Sequence, residues 1–203
     1  MRFLSAACAA LLATAPALAD EARDAAIRWL EEDALAPQVA PSGYDISIVF
    51  YSDYQCPYCR RQNTALSELM ARDPRVRIVY RDLPLFGEAS DAAARAAIAA
   101  SWQGRHAAFH AALMAMQGRL GTASIRKAAD IAGIDWNRLQ ADMRTRSADI
   151  DRLLETNARQ AAALGLKGTP ALLVGGALIP GAVDSATLGE AVAEMRGRRV
   201  SRR

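Results

Sequence analysis

The chain reads as an α/β fold built in the order strand–helix–strand, then a long helical stretch, then two strands and a closing helix. Three observations predict it. The continuous apolar run Ile46 to Tyr51 leads directly into a helical pattern that begins at Pro57, and a second strand follows at Val76 to Tyr80. From Glu88 to Leu164 the periodicity is almost wholly helical and rich in alanine. Strands resume at Ala171 to Val174, and Gly175-Gly176 then forms a two-residue hairpin turn into Ala177 to Ile179.

Each element has a local cause. Residues 20–36 place Ala22, Ala26, Ile27 and Leu30 at helical spacing, and Pro37 and Pro41-Ser42-Gly43 end that helix and make a linker. An unbroken apolar run such as Ile46 to Tyr51 is typical of a strand buried on both faces. The helix from Pro57 turns Ala65, Leu66, Leu69 and Met70 inward and stops before Pro74. A strand–helix–strand unit requires a parallel pair with a right-handed crossover. Breaks in the helical stretch fall at Gly104, Gly118 to Thr122, Gly133 to Asp135, and Thr145 to Ser147. The last helix is capped by Asp184 or Ser185 and buries Leu188, Val192 and Met195. Trp29, Trp102 and Trp136 read as packing residues at helix contacts.

Residues 1–19 read as a removable export leader: Arg2, the apolar stretch Phe3 to Leu12, and the cleavage signal Ala17-Leu18-Ala19 ahead of Asp20. The stretch is shorter than the about 20 residues that span a bilayer. The segment around Cys8 lies too early for a lipoprotein signal. The mature protein is therefore expected outside the cytoplasm, with Cys56 and Cys59 as its only cysteines among the 3 of the whole sequence. The formal net charge of +3 says little about partners. Arg196, Arg198, Arg199, Arg202 and Arg203 at the C-terminus supply more than the whole excess, and read as a solvated end. The body lacks the basic surface that nucleic-acid binding requires.

Cys56-Pro57-Tyr58-Cys59 carries the chemistry. Thiols at the two ends of a first helical turn share a face and can close a small disulfide ring. Pro57 suits the first helical position, where its missing N–H costs nothing. The sulfur of Cys56 then faces the free N–H groups and positive end of the helix, which favours thiolate over thiol. A redox pair is the leading reading; an inert structural disulfide or a metal site is the alternative. Zinc in a structural site takes four ligands. Cys56 and Cys59 with His106 and His110 supply them formally, but the two pairs lie much further apart than the about 12–15 residues of finger-type sites. The histidines therefore read as structural or surface residues, and neither a metal nor another cofactor is expected. Arg60 either adds positive field at the Cys56 sulfur or is a solvated arginine, and Asp53 reads as a turn or cap residue.

Cys56-Pro57-Tyr58-Cys59 at a helix start, the helical insertion, and Gly168-Thr169-Pro170 just before the last hairpin together resemble the DsbA family of secreted thiol–disulfide oxidoreductases. The resemblance implies a thioredoxin-like fold at 44–87 and 166–197, with an all-helical domain inserted at 88–165. Residues 20–43 form an N-terminal helix and linker, and 198–203 a basic tail. It also implies that Cys56 is the exposed nucleophile and Cys59 the resolving thiol. Pro170 is implied to be a cis-proline opposite the dithiol, and the Thr169 backbone to pair with an extended substrate. The implied setting is the periplasm, the implied function dithiol oxidation, and the implied partners are exported proteins with cysteines or disulfides and a membrane redox partner. Isomerase or reductase activity of DsbC or ScsC type, and a non-catalytic metal-binding module, are the rival readings.

Two departures bear on the site. Tyr58 stands where strong oxidants of this family often carry a histidine, and it cannot supply a positive charge to the thiolate. Loss of such a charge makes the pair about 30–60 mV more reducing than the strongest oxidants. Phe50 stands where many thioredoxin-fold enzymes keep a buried carboxylate that relays protons to the resolving thiol. Proton transfer here must then use water or another group, and Asp53 is the nearest carboxylate in sequence.

Overall fold

The computed structural model describes residues 21–201. The expected export leader at 1–19, Cys8 and the tail residues Arg202 and Arg203 lie outside the described residues. Two units are compact in themselves, one ending at Asp33 and one running from Ala34 to the C-terminus. In the first, helix α1 is described over 21–31, ending five residues before the expected bound of 36. Trp29 on it is exposed, against its reading as a packing residue.

The second unit is built on one five-stranded sheet. Its strands are β1 (Gln38–Val39), β2 (Ile46–Ser52), β3 (Val76–Asp82), β4 (Ala171–Val174) and β5 (Ala177–Pro180), in the order β1-β3-β2-β4-β5. β2 and β3 are parallel and in register from Ile46↔Val76 to Ser52↔Asp82, joined by α2 (Pro57–Arg72) as the βαβ reading requires. β4 and β5 add antiparallel on the other side of β2. Every residue of β2 and β3 is buried, which is why β2 reads as an apolar run without alternation; β3 buries Arg77, Arg81 and Asp82 as well. β1 was not legible in the sequence: two residues carry no periodicity, and its partner is the edge of β3.

Between β3 and β4 run α3 (Glu88–Ser101), α4 (His106–Ala115), α5 (Thr122–Ala132), α6 (Trp136–Thr145) and α7 (Ser147–Ala163). Their boundaries fall at the expected breaks, Gly104 and Gly133 among them. Gly133 takes the left-handed conformation that ends α5. The Gly175-Gly176 turn needs positive φ at both positions (53° and 94°), and a Cβ at Gly175 would press on Met195 and Ile46. The final helix α8 (Ser185–Val200) is capped by the Asp184 carboxylate, which accepts from the Thr187 N–H at 2.8 Å.

The two faces of the sheet are covered by different helices. Odd positions face α7: the Tyr51 hydroxyl donates to Gln160 (3.1 Å) and Arg81 to Asn157 (3.2 Å). Even positions, Ile46, Ile48, Phe50, Ile78 and Tyr80, share one core with Leu66 and Leu69 of α2, Phe109 and Leu113 of α4, and Leu188 and Val192 of α8. The C-terminal arginines are only partly a solvated end. Arg196 ion-pairs with Asp45 and Asp73, and Arg199 donates to the Asp45 carbonyl at 2.7 Å. α8 ends where β2 begins and α2 stops, so these charges meet.

Candidate active site

The dithiol sits where β2 ends and α2 begins. Cys56 is the N-cap residue of α2, in extended backbone, with Pro57 in the first helical turn. The N–H groups of Cys59 and Arg60 bond the Cys56 carbonyl at 3.1 and 3.3 Å and so close the first turn. Both cysteines are free thiols. Cys59 is wholly buried and its sulfur accepts from the Asp53 N–H at 3.5 Å. Burial pushes the Cys59 thiol well above its ordinary range, so it is held neutral.

Cys56 is not the exposed thiol that the family resemblance implied: only 2% of it is accessible. The cause is the segment before β4. The Thr169–Pro170 peptide bond is cis, as the resemblance implied, and the Cys56 thiol donates to the Thr169 carbonyl at 3.3 Å. Cys56, Cys59, Thr169 and Pro170 are thus brought to one place from segments more than a hundred positions apart. Tyr58, between the two cysteines in the chain, is 55% exposed, with the Arg61 guanidinium 4.7 Å over its ring.

The loop ahead of the dithiol is tied to the helical insertion by three consecutive side chains. The Asp53 carboxylate accepts from the N–H groups of Gln55 (2.7 Å), Leu85 (2.6 Å) and Phe86 (3.3 Å) and from the Ser90 hydroxyl (2.7 Å). Of its two readings, turn or cap, the turn is the one seen, in the bond to the Gln55 N–H, and its reach extends across to the loop before α3. That loop presents Leu85 and Phe86 exposed on the surface. The Tyr54 hydroxyl bonds His110 Nδ1 at 3.0 Å, and the Gln55 side chain accepts from the Leu120 N–H at 2.8 Å. Arg60 donates to the carbonyls of Tyr54 and Gly118, both at 3.3 Å, and so braces this loop rather than standing free in solvent.

His106 and His110 are both buried under Tyr80, whose ring lies 4.8 and 4.5 Å from theirs. His110 Nε2 meets Asn63 Oδ1 at 3.0 Å, so both its nitrogens are engaged, and neither ring approaches the cysteines as a ligand set. Among the described residues no group of three or more His, Cys, Asp or Glu could hold a metal ion.

Sequence reasoning missed one residue of the site. Asp82 is buried, at the end of β3 and in register with Ser52. Desolvation raises its carboxyl to about 8, with a smaller push from Asp53 and an opposing pull from the neighbouring Tyr54 hydroxyl. The signal was present in the strand pairing. Once Phe50 and Tyr80 are aligned, Asp82 falls on the same face one pleat further on, beside the residues that lead into the dithiol.

Comparison with known proteins agrees with this geometry. The DSBA-like thioredoxin domain family matches residues 47–193. A thioredoxin-like oxidoreductase from Silicibacter pomeroyi is 39% identical, with a TM-score of 0.79 over 84% of this chain and 97% of that one. A periplasmic thioredoxin-like protein from Salmonella enterica serovar Typhimurium is 29% identical (TM-score 0.72; 84% and 95% covered). The catalytic domain of Proteus mirabilis ScsC is also 29% identical (TM-score 0.76; 86% and 97% covered). Among curated sequences, the Na(+)/H(+) antiporter NhaA 1 of Mycolicibacterium gilvum is 33% identical over 156 residues, which are 75% of this chain and 25% of that protein. The chain spans about a quarter of the length of the curated relatives it matches. With its Cys-Pro-Tyr-Cys motif at a helix start, its cis-proline segment and its helical insertion, the chain belongs to the DSBA-like thioredoxin domain family.

Proposed function

We propose that this protein exchanges disulfides with exported proteins in the periplasm, as a dithiol oxidase working through Cys56 and Cys59. The observation that carries the reading is the juxtaposition of two free thiols at the start of α2 with the Thr169–Pro170 segment, at 3.3 Å from sulfur to carbonyl. A substrate thiolate attacks the Cys56–Cys59 disulfide at Cys56 and Cys59 leaves as thiolate. A second substrate thiol then displaces Cys56, releasing the oxidised substrate and the enzyme dithiol. A membrane redox partner reoxidises the pair. The Thr169 backbone, once freed from Cys56, pairs with the extended substrate. The export leader read at 1–19 and the likeness to a periplasmic thioredoxin-like protein support the location.

Cys56→Ser is expected to abolish oxidation of a reduced, unfolded protein, whereas Cys59→Ser accumulates mixed disulfides with it, visible on non-reducing gels. Retention of activity by Cys56→Ser would overturn the assignment. Likeness to ScsC favours one second reading, isomerisation or reduction. Equilibration with glutathione decides between them: an oxidase has the less negative potential.

A further inference from the structure

Cys59 poses a chemical problem that the residues already described do not solve. It is a fully buried thiol, and each turnover leaves it with a proton to lose or gain. The position where a carboxylate could serve it within β2 is Phe50. The Asp53 N–H that donates to its sulfur cannot accept a proton.

Three features of the sheet answer this. Ser52 and Asp82 are in-register partners of parallel strands, so their side chains project to the same face, the one that carries Phe50 and Tyr80 and is covered by α2 and α4. The Ser52 hydroxyl is buried with no protein hydrogen-bond partner among the described residues, and the buried Asp82 carboxyl has the Tyr54 hydroxyl as its neighbour but makes no hydrogen bond of good geometry. Buried oxygens left open in this way are suited to a shared water. The residue after Ser52 is the one whose N–H reaches the Cys59 sulfur. Asp53 and Tyr54 of the loop and Tyr80 of β3 itself lie near the carboxyl, and His106 and His110 of α4 pack on the far side of the Tyr80 ring.

We propose that Asp82, across a water shared with Ser52, is the proton partner of Cys59 in disulfide exchange, taking the place of the missing carboxylate at residue 50. The inference rests on the proposed exchange reaction. In the oxidising direction the substrate thiolate bonds to Cys56 and the Cys56–Cys59 bond breaks. The electron pair stays on the Cys59 sulfur, and the Asp82 carboxyl proton moves to it. In the reverse direction Asp82 carboxylate takes the Cys59 proton as that sulfur attacks Cys56, and the substrate departs as thiolate. Tyr54 and His110 are positioning residues. With His110 Nε2 turned to half-buried Asn63, its Nδ1 accepts from the Tyr54 hydroxyl, whose oxygen faces the Asp82 carboxyl. This row fixes the Tyr54 hydroxyl beside the Asp82 carboxyl. The raised Asp82 carboxyl and the raised Cys59 thiol fit a proton that is shared between two poorly solvated groups.

The test uses the whole protein and glutathione as the probe. Oxidised protein is mixed with reduced glutathione, and formation and ring closure of the Cys56–glutathione mixed disulfide are followed by acid quench and mass spectrometry across pH. Asp82→Asn should slow ring closure by about a hundredfold at neutral pH and remove its pH inflection, while iodoacetamide labelling of reduced Cys56 is unaltered; Asp82→Glu should restore the inflection. Ring closure with wild-type rate and pH profile in Asp82→Asn overturns the proposal. Wild-type protein that forms no mixed disulfide overturns the exchange reading itself. Should Asp82→Asn fail to fold, the wild-type protein still decides. Infrared difference spectra between dithiol and disulfide forms must show a protonated-carboxyl band that changes with redox state, and its absence also overturns the proposal.

Discussion

Asp53 illustrates how one side chain in this site serves several segments. Its carboxylate gathers four donors from the active-site turn, the loop before α3 and α3 itself, while its own N–H holds the Cys59 sulfur. Asp53→Ala leaves three part-buried N–H groups and the buried Ser90 hydroxyl without an acceptor and should cost about 3 kcal/mol of stability, measured by urea denaturation. The same change should loosen Leu85 and Phe86, read as faster amide exchange at those two positions. Unchanged exchange there would mean that the loop is held by other contacts. Tyr58 raises a different residue-scale question. It lies exposed beside the buried Cys56, so a histidine there can place a cation near the sulfur without disturbing the core. Tyr58→His should favour the reduced form and move the potential to less negative values, by about 30 mV for each tenfold gain. If iodoacetamide labels Cys56 at lower pH while the potential stays fixed, strain in the disulfide rather than charge at the thiolate sets the redox poise.

At the scale of elements, α8 is fastened to the sheet by its packed face, Leu188, Val192 and Met195, and at its far end by Arg196 between Asp45 and Asp73. These carboxylates are partly solvent-screened, so Arg196→Ala should cost only about 1 kcal/mol, and the loss should shrink at high salt. The Arg196 guanidinium holds the Asp73 carboxyl below its usual range, so the stability from this pair is present above an unfolded value near 4 and is lost as pH falls below it. A loss of several kcal/mol would show that Arg196 also organises the ends of β2 and α2. Most elements were legible because burial is uniform along β2 and β3 and because glycine punctuates the helical insertion. The dithiol and the Thr169–Pro170 segment were legible as motifs. What stayed hidden depends on contacts across the chain: the two-residue strand β1, the cover that the Thr169 carbonyl places over Cys56, the ion pairs of Arg196, and the pairing of Ser52 with Asp82. A strand's own residues show which positions are buried, but not which polar group on the next strand lies alongside them.

Taken as a whole, the molecule buries three titratable groups with opposed preferences in one layer between sheet and helices, which gives its stability a definite dependence on pH. Desolvation lowers His106 to about 3 and holds His110 well below its ordinary value. The unfolded chain therefore binds more protons than the native one from about 6.5 downward, and stability falls as pH drops through that range. Asp82 behaves in the opposite sense. Its native value of about 8 exceeds the unfolded value of about 3.9, so the native state holds the extra proton between them and stability falls as pH rises through that window. Below about 6.5 two histidines outweigh one carboxyl, and above it the carboxyl acts alone. Stability should therefore peak between about pH 6 and 7 and decline on both sides, as read from urea midpoints at constant ionic strength. Asp82→Asn should flatten the alkaline decline and steepen the acid loss, since the carboxyl no longer offsets the two histidines there. His106→Phe should do the reverse, easing the acid loss while the alkaline slope persists. A wild-type profile that is flat from pH 6 to pH 8 would mean that the Asp82 carboxylate finds compensation in the native core, and the opposed-burial account of this layer would then fail.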